Sequence, residues 1–165
     1  MDIDMHDHTV VERRLWEEIE KHSIGMLGVT GDNTHHTQPM TAFAEPRSRQ
    51  LWFFVGAGTA LAHDVAEGRR GMFVFQRDDI QACVIGDLHI HYDRARIDRY
   101  WNAVVAAWWP AGKEDPSLTL IRMDCDEAQV WISRAGPARF AWEIAKANAM
   151  RQAPDLGGHA SLRFH

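Results

Sequence analysis

The chain has 165 residues, of which 45% are hydrophobic and 25% charged, with a formal net charge of -5. A chain of about 150 residues hides roughly 70% of its unfolded surface, so this size predicts one domain spanning 1–165 and the composition argues against disorder. The acidic balance gives no general basic footprint for nucleic acid, because Arg69-Arg70 and the Arg94, Arg96, Arg99 group are interrupted by acids or apolar residues.

The acidic start MDIDMHDH lacks the charged and then apolar pattern of a secretory signal, and the longest apolar run, LWFFV at 51–55, is far below the ~20 residues of a helical span. A cytoplasmic protein is expected, with no membrane partner and with Cys83 and Cys125 as reduced thiols. Thr9 and Glu12 have the spacing of a capping box ahead of Val11, Leu15 and Ile19, which predicts an amphipathic helix over about 9–22. IGMLGVT, a GDN turn at 31–33 and TQPMTAFAE then read as a hairpin whose second strand, carrying Pro39, is an edge or borders a ligand. LWFFV reads as a strand buried on both faces, followed by a GAGT turn at 56–59 and a short helix near 60–67. Two more strands follow at 71–76 and 81–93, and in the second Leu88 and Ile90 alternate with His89 and His91. Residues 94 to about 109 read as helical, 117–124 and 128–133 as two final strands, and 137–150 as a helix with Phe140, Ile144 and Ala147 on one side. The end, 151–165, has little periodicity. The order predicts a mainly β chain: an antiparallel barrel of about seven strands over 23–133, with a helical insert at 94–116 and short flanking helices.

Several chemistries can be weighed against this frame. His6-Asp7-His8, His35-His36 and His89-Ile90-His91 are the histidine clusters, and only the last puts two imidazoles on one strand face; without a third ligand in the sequence, no metal site is assigned. A G-x-S-x-G elbow, a Walker loop and a G-x-G-x-x-G fingerprint are absent from the sequence. GAGT follows a buried strand and opens a helix, so its N–H groups could cradle a phosphate or could form a plain turn.

That turn has company. SIGMLGVTGD at 23–32, TQPM at 37–40, LWFFVGAGT at 51–59 and YWNAVVAAWWPAGKEDPSLTLIRM at 100–123 resemble, in order and spacing, the general stress protein group of the pyridoxamine 5'-phosphate oxidase-like, FMN-binding split barrels. The most specific part is Trp101-Asn102 with Trp109-Pro110, Gly112-Lys113 and Asp115-Pro116, and the resemblance covers about 13–133.

The resemblance implies a homodimer with FMN in the groove between two barrels and redox transfer at the flavin N5, for which no residue here is assigned a catalytic role. It places the isoalloxazine along Gln38, Pro39, Met40, Thr41, Phe53, Phe54 and Val55, the phosphate near Gly58 and Thr59, and Trp101 and Trp109 by the seam. The chain departs from the group where cations usually hold the phosphate: Gln38 stands before Pro-Met, and Ala60 and Leu61 follow Thr59. Arg47, His63, Arg69 and Arg70 are the candidate substitutes. The alternative expectation is a binding module of the same fold that holds haem, deazaflavin or a protein partner, with His89 or His91 as the first iron ligand to consider.

Overall fold

The structure is a computed structural model that describes residues 3–31, 36–134 and 136–165. Helix α1 (His8–Lys21) is capped by Asp7, whose carboxylate accepts from the N–H groups of Thr9 and Val10. Thr9, the expected cap, therefore lies inside the first turn; the acidic residue two positions earlier is the better acceptor for the orphan donors and for the helix dipole. Val11, Leu15, Trp16 and Ile19 are buried and join the same core as the inward side chains of the sheet.

Eight antiparallel strands follow: β1 (Ile24–Val29), β2 (Gln38–Thr41), β3 (Phe43–Glu45), β4 (Gln50–Gly56), β5 (Arg69–Gln76), β6 (Ile80–Ile90), β7 (Leu118–Ser133) and β8 (Gly157–Arg163). Their order is β2-β1-β5-β6-β7-β4-β3, with β8 on the free half of the β7 edge. β2 and β3 stand at opposite ends of this order, yet only Ala42 separates them in the chain. The two ends must therefore meet, and the sheet is rolled into a barrel. Ala42 is buried, and its N–H reaches the Ser23 carbonyl at 2.8 Å. The expected single strand TQPMTAFAE is thus two strands with a corner between them. The GDN turn and His35 fall largely on residues 32–35, outside the described residues.

Closure is incomplete. β3 pairs with residues 50–52 of β4, and β2 pairs with β1; β2 and β4 also come near each other, and no ladder joins them. This is the split, and Pro39, which has no N–H to donate, lies on it.

β7 is one long strand where two were expected. Its ladder with β6 is interrupted by a bulge: Ile85 faces Glu127 and Gly86 faces Cys125, so Asp126 is the extra residue. A Cβ on Gly86 would sit 2.2 Å from the Asp124 carbonyl, so the close backbone approach requires glycine. The segment 151–165 also differs from expectation. Ala160, Leu162 and Phe164 are buried and alternate with exposed neighbours, a period of two that makes β8 a strand. Helix α5 (Pro137–Met150) lies where expected but buries Glu143 and Ala147, leaving Phe140 and Ile144 exposed. No described helix is long and apolar enough to cross a membrane.

Candidate functional site

β4 organises the site because both of its faces are covered. Leu51, Phe53 and Val55 point into the barrel core, while Trp52 and Phe54 point outward into a second cluster with Ile97, Val105, Leu118 and Leu120. That second cluster is roofed by the insert, which is two helices and not one: α3 (Arg94–Tyr100) and α4 (Ala103–Trp108). The break falls at Trp101 and Asn102, because the Asn102 side chain accepts from the N–H groups of Val104 and Val105, both at 2.9 Å, and so starts a new helix.

The insert is fastened to β3 by charge. The Glu45 carboxylate, 15% exposed, accepts from Arg96 at 2.8 and 2.9 Å, from Arg99 at 3.3 Å and from the Tyr100 hydroxyl at 2.5 Å. Arg96 also meets Asp93 at 2.6 Å and lies 4.1 Å over the Trp52 ring, and Tyr100 stacks on Phe43 at 4.7 Å. The Arg96 guanidinium, followed by the Tyr100 hydroxyl, holds the Glu45 carboxyl below the usual carboxylate range despite partial burial. Burial, and then the hydrogen bond to Glu45, push the Tyr100 phenol up to about 12.

The most specific motif of the sequence proves to be the scaffold of this roof. Trp101 and Trp109 pack on Phe54 with ring centroids at 6.1 and 5.8 Å. Gly112 has φ +77, which a side chain rarely adopts, and its N–H bonds the Trp109 carbonyl at 2.8 Å. Lys113 reaches Asp98 at 3.0 Å, and Asp115 accepts from the Ser117 N–H and hydroxyl to set the entry of β7. Trp108, absent from the expected site residues, is the indole that remains 77% exposed, with Val104 one turn before it also open. The i, i+4 spacing of these two residues was the available signal.

The expected site residues divide into groups. Phe54, Trp101 and Trp109 come together. Gln38, Pro39, Met40 and Thr41 form β2 on one side of the split, with Gln38 and Pro39 exposed and Met40 and Thr41 half-buried. The side chains of Phe53 and Val55 lie inside the barrel, so what β4 offers to the split there is backbone. Gly58 is open, since a Cβ there would meet nothing within 4 Å. The Thr59 hydroxyl donates to the Gly56 carbonyl at 2.8 Å and accepts from the Ala62 N–H at 3.2 Å, so it is engaged as the cap of α2 (Ala60–Ala66). Leu61 is a core residue at 9% exposure, while Ala60 is exposed.

Among the candidate substitutes, Arg70 is held by Asp126 at 2.5 and 3.0 Å and by Asp87 at 3.0 Å, and Arg69 meets Glu67 at 2.7 Å. His63 and Arg47 are exposed. The imidazoles considered for iron are also engaged: His91 Nδ1 faces the Arg122 guanidinium at 3.1 Å and His89 Nε2 faces Asp124 at 3.4 Å. Among the described residues no group of three metal-ligating side chains occurs. Burial raises the pKa of both thiols, Cys125 far more than Cys83.

At the split β4 offers backbone and β2 offers Gln38 to Thr41, while the first turn of α2 supplies N–H groups with no helical acceptor. Of the two positions where the resemblance expects cations, 60 is alanine and 61 has gone into the core.

Comparison with known proteins gives the family. The family described as Pyridoxamine 5'-phosphate oxidase like matches residues 11–155. None of the curated proteins matches. A solved structure of general stress protein 26 from Jannaschia sp. CCS1 is 31% identical, with a TM-score of 0.77, and the match covers 94% of this chain and 99% of that one. A general stress family protein from Xanthomonas campestris pv. campestris is 35% identical with a TM-score of 0.71, over 79% of this chain and 92% of that one. The general stress FMN/FAD binding protein of Xanthomonas citri is 34% identical with a TM-score of 0.70, over 78% of this chain and 92% of that one. With the rolled, split antiparallel sheet already in view, these matches place the chain in the pyridoxamine 5'-phosphate oxidase-like family, among its general stress proteins.

Proposed function

We propose that this protein is a homodimeric, flavin-binding member of its family that takes FMN in the split between β2 and β4 and acts in redox transfer. The observation that carries the proposal is the Xanthomonas citri relative, described as FMN/FAD binding and alike over 92% of its length. The backbone of β2 and of residues 53–56 would hold the ring, and the N–H groups at the start of α2 would meet the phosphate. Trp101 and Trp109 would stand by the seam between the two protomers. A bound flavin supplies the electron chemistry itself, and the chain's part is to bind, orient and exclude water.

The dimer reading has its own support in the outer face of the sheet. Ile24, Met26, Val74 and Trp131 are 59%, 39%, 37% and 44% exposed, and Met26 and Val74 are register partners on adjacent strands. Met26 and Val74 thus form an adjacent exposed apolar pair, while the register partners of Trp131 on its two sides are Gln81 and His159.

An FMN titration of about 1 μM protein, read by flavin fluorescence and by quenching of the tryptophans, tests the assignment. Saturation at low micromolar FMN is the expected result, and no binding up to about 1 mM, a free energy near -4 kcal/mol, would overturn it.

A further inference from the structure

We infer that His91 is an acid-sensitive latch: its neutral form ties the start of the α3–α4 roof to the barrel, and protonation releases that tie. The latch goes beyond the flavin assignment and does not rest on it. His91 stands where the chain leaves β6 for the insert. Its N–H reaches the Leu120 carbonyl at 2.9 Å, and two residues later Asp93 caps α3. The imidazole is half-buried and edge-on to buried Trp52, with ring centroids at 5.3 Å. Arg122 of β7, the register partner of both Trp52 and His89, faces its Nδ1 at 3.1 Å. A guanidinium only donates, so Nδ1 must accept and the ring proton sits on Nε2.

Protonation undoes this arrangement. It places a proton on Nδ1, which removes the acceptor and sets two cations side by side. The groups around the ring leave the new charge no free partner. Asp124 of β7 is already held by Arg122 at 3.0 and 3.2 Å and by Gln50 of β4 at 2.9 Å, and it lies 3.4 Å from His89 of β6. Asp93 is held by the Arg96 guanidinium at 2.6 Å and by the Arg96 N–H at 3.0 Å. Arg96 in turn lies 4.1 Å over the Trp52 ring and is bonded to Glu45 of β3. An imidazolium at position 91 therefore either repels Arg122 or draws Asp93 away from Arg96, which also weakens the cap of α3. Both loosen the first turn of the roof. A charged His89 acts in the same direction, because it competes for Asp124, the other partner of Arg122. The carboxylates supply no change over the same range of pH. Bonds from the Arg96 N–H to Asp93 and from its guanidinium to Glu45 hold both carboxyls below the usual carboxylate range, so they stay ionised while histidines titrate.

Hydrogen–deuterium exchange of the full chain between about pH 5 and pH 8, corrected for the pH dependence of the intrinsic rate, tests the latch. Peptides from α3 and α4 report, with the β5–β6 ladder as internal reference. In wild type the roof is expected to lose about tenfold in protection at the acid end, the size expected for one hydrogen bond from a charged donor, while the ladder is unchanged. His91→Asn puts a non-titrating oxygen in place of Nδ1 and is expected to remove the response, whereas His89→Asn should keep most of it. Nitrogen chemical shifts at about pH 8 should show His91 Nδ1 without a proton. A roof equally protected at both ends of the range, a response that survives in His91→Asn, or a proton on Nδ1 at about pH 8 overturns the inference. If His91→Asn leaves the roof loose at every pH, Arg122→Met decides: it removes the donor, so loss of the response supports the latch and a full response overturns it.

Discussion

Replacing Glu45 with glutamine should loosen the roof over β4. The carboxylate collects four hydrogen bonds from Arg96, Arg99 and Tyr100, and the amide keeps the shape but loses the charge and one acceptor. Hydrogen bonds to charged groups contribute about 1.5–3 kcal/mol each where water is excluded. Arg96 and Glu45 are 25% and 15% exposed, and Arg96 keeps Asp93, so the low end applies, about 2 kcal/mol in all; Arg99, at 58%, adds little. For a chain of this length the melting temperature should fall by about 4–8 °C at neutral pH. The effect should depend on acidity with a definite sign. Arg96 depresses the folded carboxyl below its unfolded value of about 4.3, so its contribution is complete above that pH and is lost as pH falls through the folded value. Thermal melts of wild type, Glu45→Gln, Tyr100→Phe and the double variant between about pH 2 and pH 8 would measure this. The gap between wild type and Glu45→Gln should close in acid, and the double variant should lose less than the sum of the singles. Equal melting at neutral pH, or a gap that persists undiminished in strong acid, would refute the role given to Glu45.

Three further outcomes are expected. If the α2 turn holds the flavin phosphate without an ion pair, FMN and riboflavin should bind within about tenfold of each other, and Ala60→Lys or Gln38→Arg, at exposed positions, should tighten FMN by about tenfold or more and leave riboflavin unchanged in fluorescence titrations. Gly86→Ala should destabilise the chain by about 3 kcal/mol or more in urea unfolding, because the new Cβ meets backbone and not a flexible side chain. Tyr100, held up to about 12 by burial and Glu45, should ionise late in an ultraviolet titration; its contribution to stability is complete below the unfolded value of about 10 and is lost as pH rises toward 12.

The parts of the fold legible in the sequence were those set by local pattern. Apolar LWFFV announced a strand covered on both sides, and the core and roof clusters account for its two faces. Pro39 announced an edge, and β2 is at the end of the sheet order. What escaped was set by partners distant in the chain. The bulge at Asp126 interrupts the alternation that joins the two halves of β7, and the alternation of β8 is short and glycine-led. Asn102 reads as one more polar residue in a helix until its cap is seen. At the site, the aromatic motif was readable but its role was not: Trp101 and Trp109 support the roof, and Trp108 is the one left open. Leu61 could be named as a departure from sequence alone, while its place in the core depends on how α2 lies against the barrel.

Ala42 fixes more than a corner. Because a single residue carries the chain from one end of the sheet to the other, the connection has no slack, and side chains on a strand alternate faces with strict parity. One residue added there would turn β3 inside out, directing Glu45 at the core and Ala44 at the roof. A deletion would do the same. A change of length in this chain therefore leaves the pattern of faces intact in a longer connection such as that between β7 and β8, while the one-residue link at Ala42 keeps the count for both ends of the sheet.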